Sequence, residues 1–196
     1  MPEHTAESRR DELLAIAGRL FAERGFRNTT VRDIADEAGI QSGSLYHHFD
    51  SKESMVDELL DTFQQQLFDE YDAIVASDRT PLGKLEAVVR ASFGAIDQHH
   101  SEVAIFQNDA AYLAGFERFA YLTERNARFQ ELWTTLLRDA VAVGELREDL
   151  DVDLVYRFVR DTVWVAVNWY RPGGALSAAQ VADQYLSILL EGIAHA

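Results

Sequence analysis

The chain is predicted to be all-α. Its apolar residues recur at helical spacing almost throughout, and its three prolines stand only at positions 2, 81 and 172. A content of 47% hydrophobic and 26% charged residues gives a 196-residue chain enough apolar material for one or two cores. The chain has no cysteine, which excludes a disulfide scaffold, a thiolate metal site and a cysteine nucleophile. Glu3, Glu7, Asp11 and Glu12 stand where a signal peptide needs a basic start and an apolar run. No stretch approaches the eighteen apolar residues of a membrane span, so a cytoplasmic protein without a membrane partner is expected.

The first helix carries its stripe on Leu13, Ile16, Ala17, Leu20 and Phe21 and stops at Gly25, a residue suited to a left-handed C-cap. A short helix follows, with Thr29 or Thr30 as N-cap, Val31, Ile34, Ala35 and Ala38 facing inward, and Gly39 closing it. A second short helix runs from Ser42 to about His48 and buries Leu45 and Phe49. Asp50 or Ser51 caps a long helix whose apolar side is Met55, Val56, Leu59, Leu60 and Phe63. Thr80-Pro81 opens a helix to about Gln98, because proline at the first helical position loses no hydrogen bond. Residues 102–113 read as one or two short turns, and 116–143 as one helix ending at Gly144. Two strongly apolar helices, 152–170 and 178–194, close the chain, the second with a capping box at Ser177 and Gln180.

Charge is unevenly spread. The net charge is −15, yet residues 1–52 hold seven basic groups against nine acidic ones, a net of −2. An acidic body with a nearly neutral head leaves nucleic acid open as a partner of the head alone. There, two short helices joined through Gly39 match the helix-turn-helix arrangement, whose second helix enters the DNA major groove. Val31, Ile34, Ala35, Leu45 and Phe49 would hold the pair together. That leaves Ser42, Ser44, Tyr46, His47 and His48 outward to bond base edges or phosphates, with the Ser42 amides and Lys52 for phosphate. A helical hairpin with a merely solvated polar face is the plainer alternative.

The run TTVRDIADEAGIQSGSLYHHFDSKE, residues 29–53, resembles the DNA-binding head of the TetR family of bacterial transcriptional repressors. The resemblance implies that Thr30, Tyr46 and Lys52 contact phosphate. It places Ser42, Gly43, Ser44 and His47 at or near the bases, with His48 a further candidate. It implies a helix-turn-helix DNA-binding domain at 1–52 and a helical ligand-binding and dimerisation domain at 53–196. The stretch DLDVDLVYRFVRDTVWVAVNWYRPGG, residues 149–174, is similar to members of the family that govern degradation of the last steroid rings. That similarity implies release from the operator by a coenzyme A thioester of a ring-opened steroid remnant.

In the body, helix 152–170 is apolar nearly all round and helix 178–194 broadly so, which calls for cover on more than one side. A four-helix homodimer interface would supply it and present two probe helices to a palindromic duplex; a monomer core would also satisfy the pattern. Arg157 has Asp153 and Asp161 at i−4 and i+4, and Arg128 has Glu124 and Glu131 nearby. Arg160 has no acid at i±3 or i±4, and Trp164 and Asn168 follow it at one-turn steps. Arginine, indole and amide on one stripe suit a phosphate-bearing ligand with an apolar portion, such as an acyl-CoA. A salt bridge across a dimer is the alternative. Arg125, between Tyr121 and Phe129, is a weaker ligand candidate, and Phe106, Tyr112, Phe116 and Phe119 are candidate pocket walls or simply core. The pairs His47-His48 and His99-His100 lack a third ligand, and no nucleophile motif or phosphate loop is present; neither metal site, cofactor nor catalysis is expected. The runner-up is a helical acyl-CoA-binding protein whose head is an interaction module without DNA binding.

Overall fold

The computed structural model describes residues 6–193. Glu3, on which part of the leader argument rests, and residue 194, the expected last helical position, lie outside them. Helix α1 (Ala6–Arg24) turns Leu13, Ala17, Leu20 and Phe21 inward. Thr30 is the N-cap of α2 (Val31–Glu37), while Thr29 is buried and its hydroxyl donates to the carbonyls of Leu20 and Gly25. Gly39 takes φ +66° to end α2 and aim the chain at α3 (Ser42–Leu45). That helix is one turn long, shorter than the expected 42–48: Tyr46, His47 and His48 form a turn that swings Phe49 back into the core.

Ser51 caps α4 (Lys52–Val75), exchanging hydrogen bonds with Ser54. The first half of α4 places Met55, Val56, Leu59 and Leu60 in a core shared with α1–α3, and its second half places Phe63, Leu67, Tyr71 and Ile74 in the core of the body. Thr80 and Pro81 start α5 (Pro81–Gln98) as expected, and α5 packs along α4, α7 and α9.

Three further expectations need correction. Residues 102–113 are not short turns but part of a full helix, α6 (His100–Leu113). It buries Val103 and Ala104 in the body core and Ile105 and Leu113 in the head core. A helix gripped from two sides shows no single apolar stripe, and this hid it. The expected helix 116–143 is broken: a 3-10 turn, Glu117–Phe119, drives Phe119 into the head core before α7 (Tyr121–Ala142) begins. The expected helix 152–170 is α only over α8 (Val152–Trp164) and continues as a 3-10 turn, Val165–Asn168. Its burial there falls on Val163 and Ala166 and on Trp164, Val167 and Tyr170, the three-residue repeat of the tighter helix. The last helix, α9 (Ala178–Ile193), opens with the capping box: the Ser177 N–H donates to Gln180 Oε1 and the Gln180 N–H to Ser177 Oγ.

Candidate functional site

In the head, Ile34, Ala35, Leu45 and Phe49 are buried and hold α2 against α3. Gly43, Ser44, Tyr46 and His47 are exposed and Ser42 and His48 half-buried, so the expected probe surface is open to solvent. Thr30, also exposed, is bound into its own cap. Its N–H and hydroxyl donate to Asp33 Oδ2 at 2.7 and 2.5 Å, and its oxygen accepts the Asp33 N–H. These bonds, helped by the nearby charges of Arg24 and Arg32, hold the Asp33 carboxyl below its usual value of 3.8. Lys52 is less free than expected. Its ammonium donates to the carbonyls of Phe26 and Thr29 at 2.9 and 3.0 Å and sits 4.2 Å from the Phe26 ring centre, which leaves one N–H for any phosphate.

The body contains a cleft between α4, α6, α7 and α8. Phe63 and Leu67, Val103 and Phe106, Phe129 and Trp133, and Tyr156 and Trp164 form its apolar walls; Gln64, Gln107, Asn126 and Arg160 are its polar groups. Arg160 and Trp164 therefore share one cavity, as their one-turn spacing suggested. Burial raises the Tyr156 phenol above its ordinary value of 10, so it stays a neutral donor. The cavity volume is about 60 Å³, room for roughly four waters. A bulky ligand has to part these walls.

The charges around the cleft are arranged differently from expectation. Arg160 does have an acid partner, the adjacent Asp161, with its Nε donating at 2.7 Å. Helical spacing of three or four residues does not reveal this partner, which is the next residue in sequence, at the exposed rim. Arg157 forms no ion pair among the described residues: Asp161 serves Arg160, and Asp153 lies 3.6 Å from Arg138. Arg128 reaches across to Asp72 on α4 rather than to Glu124 or Glu131. Arg125 is paired, with Asp61 at 2.5 Å and with Gln64 Oε1 at 3.2 Å, and stands outside the cleft where it orients Gln64. Asn168 is exposed and outside the lining, since the switch to a 3-10 turn rotates it off the stripe of Arg160 and Trp164. Of the four aromatics Phe106 alone lines the cleft; Phe119 is head core, and Tyr112 and Phe116 are partly exposed beside it.

Elsewhere the His99 ring packs 5.5 Å from that of Phe63, and His100 Nε2 lies 3.3 Å from the Tyr170 carbonyl. No cluster of three His, Asp or Glu residues able to hold a metal occurs among the described residues, and no helix there is long and apolar enough to cross a membrane.

The head and most of the residues that line the body cleft fall within two family models. Residues 13–59 match that of bacterial regulatory proteins of the TetR type, and residues 78–193, more than half of the chain, match that of the tetracyclin repressor-like C-terminal domain. The chain belongs to the TetR family. A transcriptional repressor named KstR2 from Rhodococcus jostii strain RHA1 is 59% identical over 186 residues, covering 95% of this chain and 91% of that protein. A KstR2 from Mycobacterium tuberculosis strain H37Rv is 57% identical over the same length, covering 95% of this chain and 93% of that one. The solved structure of the ketosteroid transcriptional regulator KstR2 of Mycobacterium tuberculosis is 55% identical, with a TM-score of 0.94 and 98% of both chains covered. As a TetR-family repressor the chain is a regulator and not an enzyme, and the alternative of an acyl-CoA-binding protein without DNA binding lapses.

Several residues of this TetR-type body were not singled out in the sequence. Gln64 is 1% exposed on the otherwise apolar stripe of Leu60, Phe63 and Leu67, and that interruption was its signal. Gln107 and Asn126 carried none, because each is one polar residue among many on a helix. Asp109 joins the body to the head: its Oδ2 accepts the Phe26 N–H at 3.0 Å across 83 positions of sequence, which no local pattern announces.

Proposed function

We propose that this chain is a cytoplasmic homodimeric repressor that holds a palindromic operator with its two heads and controls genes of late steroid-ring catabolism. A coenzyme A thioester of a steroid-degradation intermediate releases it. The head is residues 1–52, with Thr30, Tyr46 and Lys52 toward phosphate and Ser42, Gly43, Ser44, His47 and His48 toward the bases; the body is residues 53–196. One observation carries the effector reading: an aromatic cleft with a single guanidinium, Arg160, half exposed at its rim beside Trp164. The walls suit a fused-ring or acyl portion and the guanidinium a phosphate or carboxylate, which it binds bidentately in exchange for Asp161. The names of the relatives, one a ketosteroid regulator, support the steroid class. Arg125 acts through Gln64, and Asn168 stands as a contact for the part of the ligand outside the cleft.

Dimerisation is supported by what α8 and α9 leave uncovered. Phe158, Trp169 and Ile188 are 63%, 57% and 67% exposed, and Trp169, Leu176 and Ile188 border one open groove. A patch of that kind is normally covered by a partner. Two heads bridging half-sites must stand about one DNA turn, or a multiple of it, apart. Moving the population from 99:1 operator-bound to 1:99 asks the effector to favour the released form by about 5.5 kcal/mol.

The test is a gel-shift titration on the DNA upstream of the protein's own gene against a panel of acyl-CoA thioesters. The wild type is expected to be displaced by a steroid-derived thioester alone, and Arg160→Ala to bind the operator as well as wild type yet resist displacement. Wild-type release of Arg160→Ala would remove Arg160 from the site. Release by a short acyl-CoA instead would favour a smaller hydrophobic effector, the reading to which the cavity of about 60 Å³ gives weight.

A further inference from the structure

The head of this protein carries much less usable positive charge than its composition suggests. Residues 1–52 hold seven cations: Arg9, Arg10, Arg19, Arg24, Arg27, Arg32 and Lys52. Arg9 pairs with Glu12 and donates to the Ala38 carbonyl, Arg10 makes a two-bond pair with Glu58, and Arg19 stands between Glu37 and Glu23. A cation whose carboxylate stays in place brings no net charge to a phosphate and displaces few counterions. Lys52 spends two of its three N–H bonds on backbone carbonyls, which restricts its reach while leaving its charge in place. Arg32 is 84% exposed and its pair with Asp36, at 3.6 Å, is loose enough to exchange for phosphate.

Arg24 and Arg27 remain. Both are exposed and neither forms an ion pair among the described residues. They flank the corner between α1 and α2, next to Thr30. Arg27 lies 5.0 Å over the Tyr112 ring, which orients the guanidinium without neutralising it. Arg24 is near enough to Asp33 to help the Thr30 hydrogen bonds hold that carboxyl down, so its charge sits beside the α2 cap.

We infer that Arg24 and Arg27 are the principal phosphate-binding cations of the head. Arg32 and the ammonium of Lys52 add to them, and the rest of the grip is uncharged hydroxyls, imidazoles and amides, which makes binding less salt-dependent than seven free cations per head would and disfavours bulk DNA. The inference rests on the DNA-binding reading above and deepens it. The acidic body, net −13 over residues 53–196, acts the same way: it repels any duplex the head does not grip, and added salt relieves that repulsion.

The experiment measures equilibrium binding of the full chain between about 50 and 200 mM salt. The probes are a duplex selected by the protein from a random library and a scrambled duplex of equal length. With Arg24, Arg27, Arg32 and Lys52 active on each of two heads, a slope of log K against log salt near −7 is expected at about 0.9 per phosphate, where seven cations per head would give about −13. Arg24→Gln and Arg27→Gln are each expected to flatten it by about 2, one phosphate on each head, and Arg19→Gln to leave it unchanged. A slope steeper than about −9, or Arg19→Gln flattening it as much as Arg27→Gln, overturns the inference while DNA binding stands. If no sequence is enriched from the library, the DNA-binding reading itself fails.

Discussion

At the scale of single residues, one oxygen often has two claims on it. Thr30 is expected at a phosphate, yet in the free protein it completes a reciprocal cap with Asp33. Thr30→Ala is expected to cost about 1 kcal/mol, the usual worth of an N-cap, read as a lower urea midpoint. The Asp33 carboxyl adds a pH dependence whose sign follows from its lowered value. Its contribution is complete above its ordinary value of 3.8 and is lost as pH falls through the lower folded-state value. Unfolding followed through that acid range is expected to show a stability step in the wild type that is diminished in Thr30→Ala. In the proposed function Arg160 faces the same competition, between Asp161 and a ligand phosphate.

At the scale of elements, the joint between α2 and α3 decides where the probe surface points. Gly39 holds φ +66° with nothing near the position a Cβ would take, so a substitution there meets backbone strain and no clash. Gly39→Ala is expected to destabilise by about 1 kcal/mol, and Gly39→Asn by less, because asparagine tolerates the left-handed region. Urea unfolding of the two variants measures that strain as the difference between their midpoints. Helix α6 is the element that touches both functional regions. Val103, Phe106 and Gln107 face the cleft, while Asp109 accepts the Phe26 N–H in the head. A change in the cleft wall is thus one rigid helix away from the corner that carries Arg24 and Arg27.

For the whole molecule, the proposed function sets an acidic body, which would repel DNA, against two heads that would have to act together. Ile188, at 67% exposure, contributes little to the fold of one chain. If α8 and α9 pair across a two-fold axis, Ile188→Glu buries a charge at the centre of the interface. Sedimentation equilibrium is expected to show a folded monomer, with operator affinity falling sharply because two linked half-sites become two independent ones. A variant that stays dimeric would move the interface away from α9.

Local order was legible in the sequence wherever one face of a helix meets one core. The stripes of α1 and α4, the caps at Thr80 and Ser177, those at Thr30 and Ser51 to within one residue, and the break at Gly39 follow from spacing and from the chemistry of single residues. The exposed surface of residues 42–48 and the shared cavity of Arg160 and Trp164 were legible for the same reason, since residues one turn apart share a face. Tertiary structure decided what depends on partners distant in sequence. Arg125 and Arg128 found Asp61 and Asp72 on α4, Lys52 found two carbonyls in the α1–α2 corner, and α6, wedged between two cores, showed no stripe. An ion pair or a two-sided burial is set by which helices lie side by side, and that placement follows from packing the whole chain.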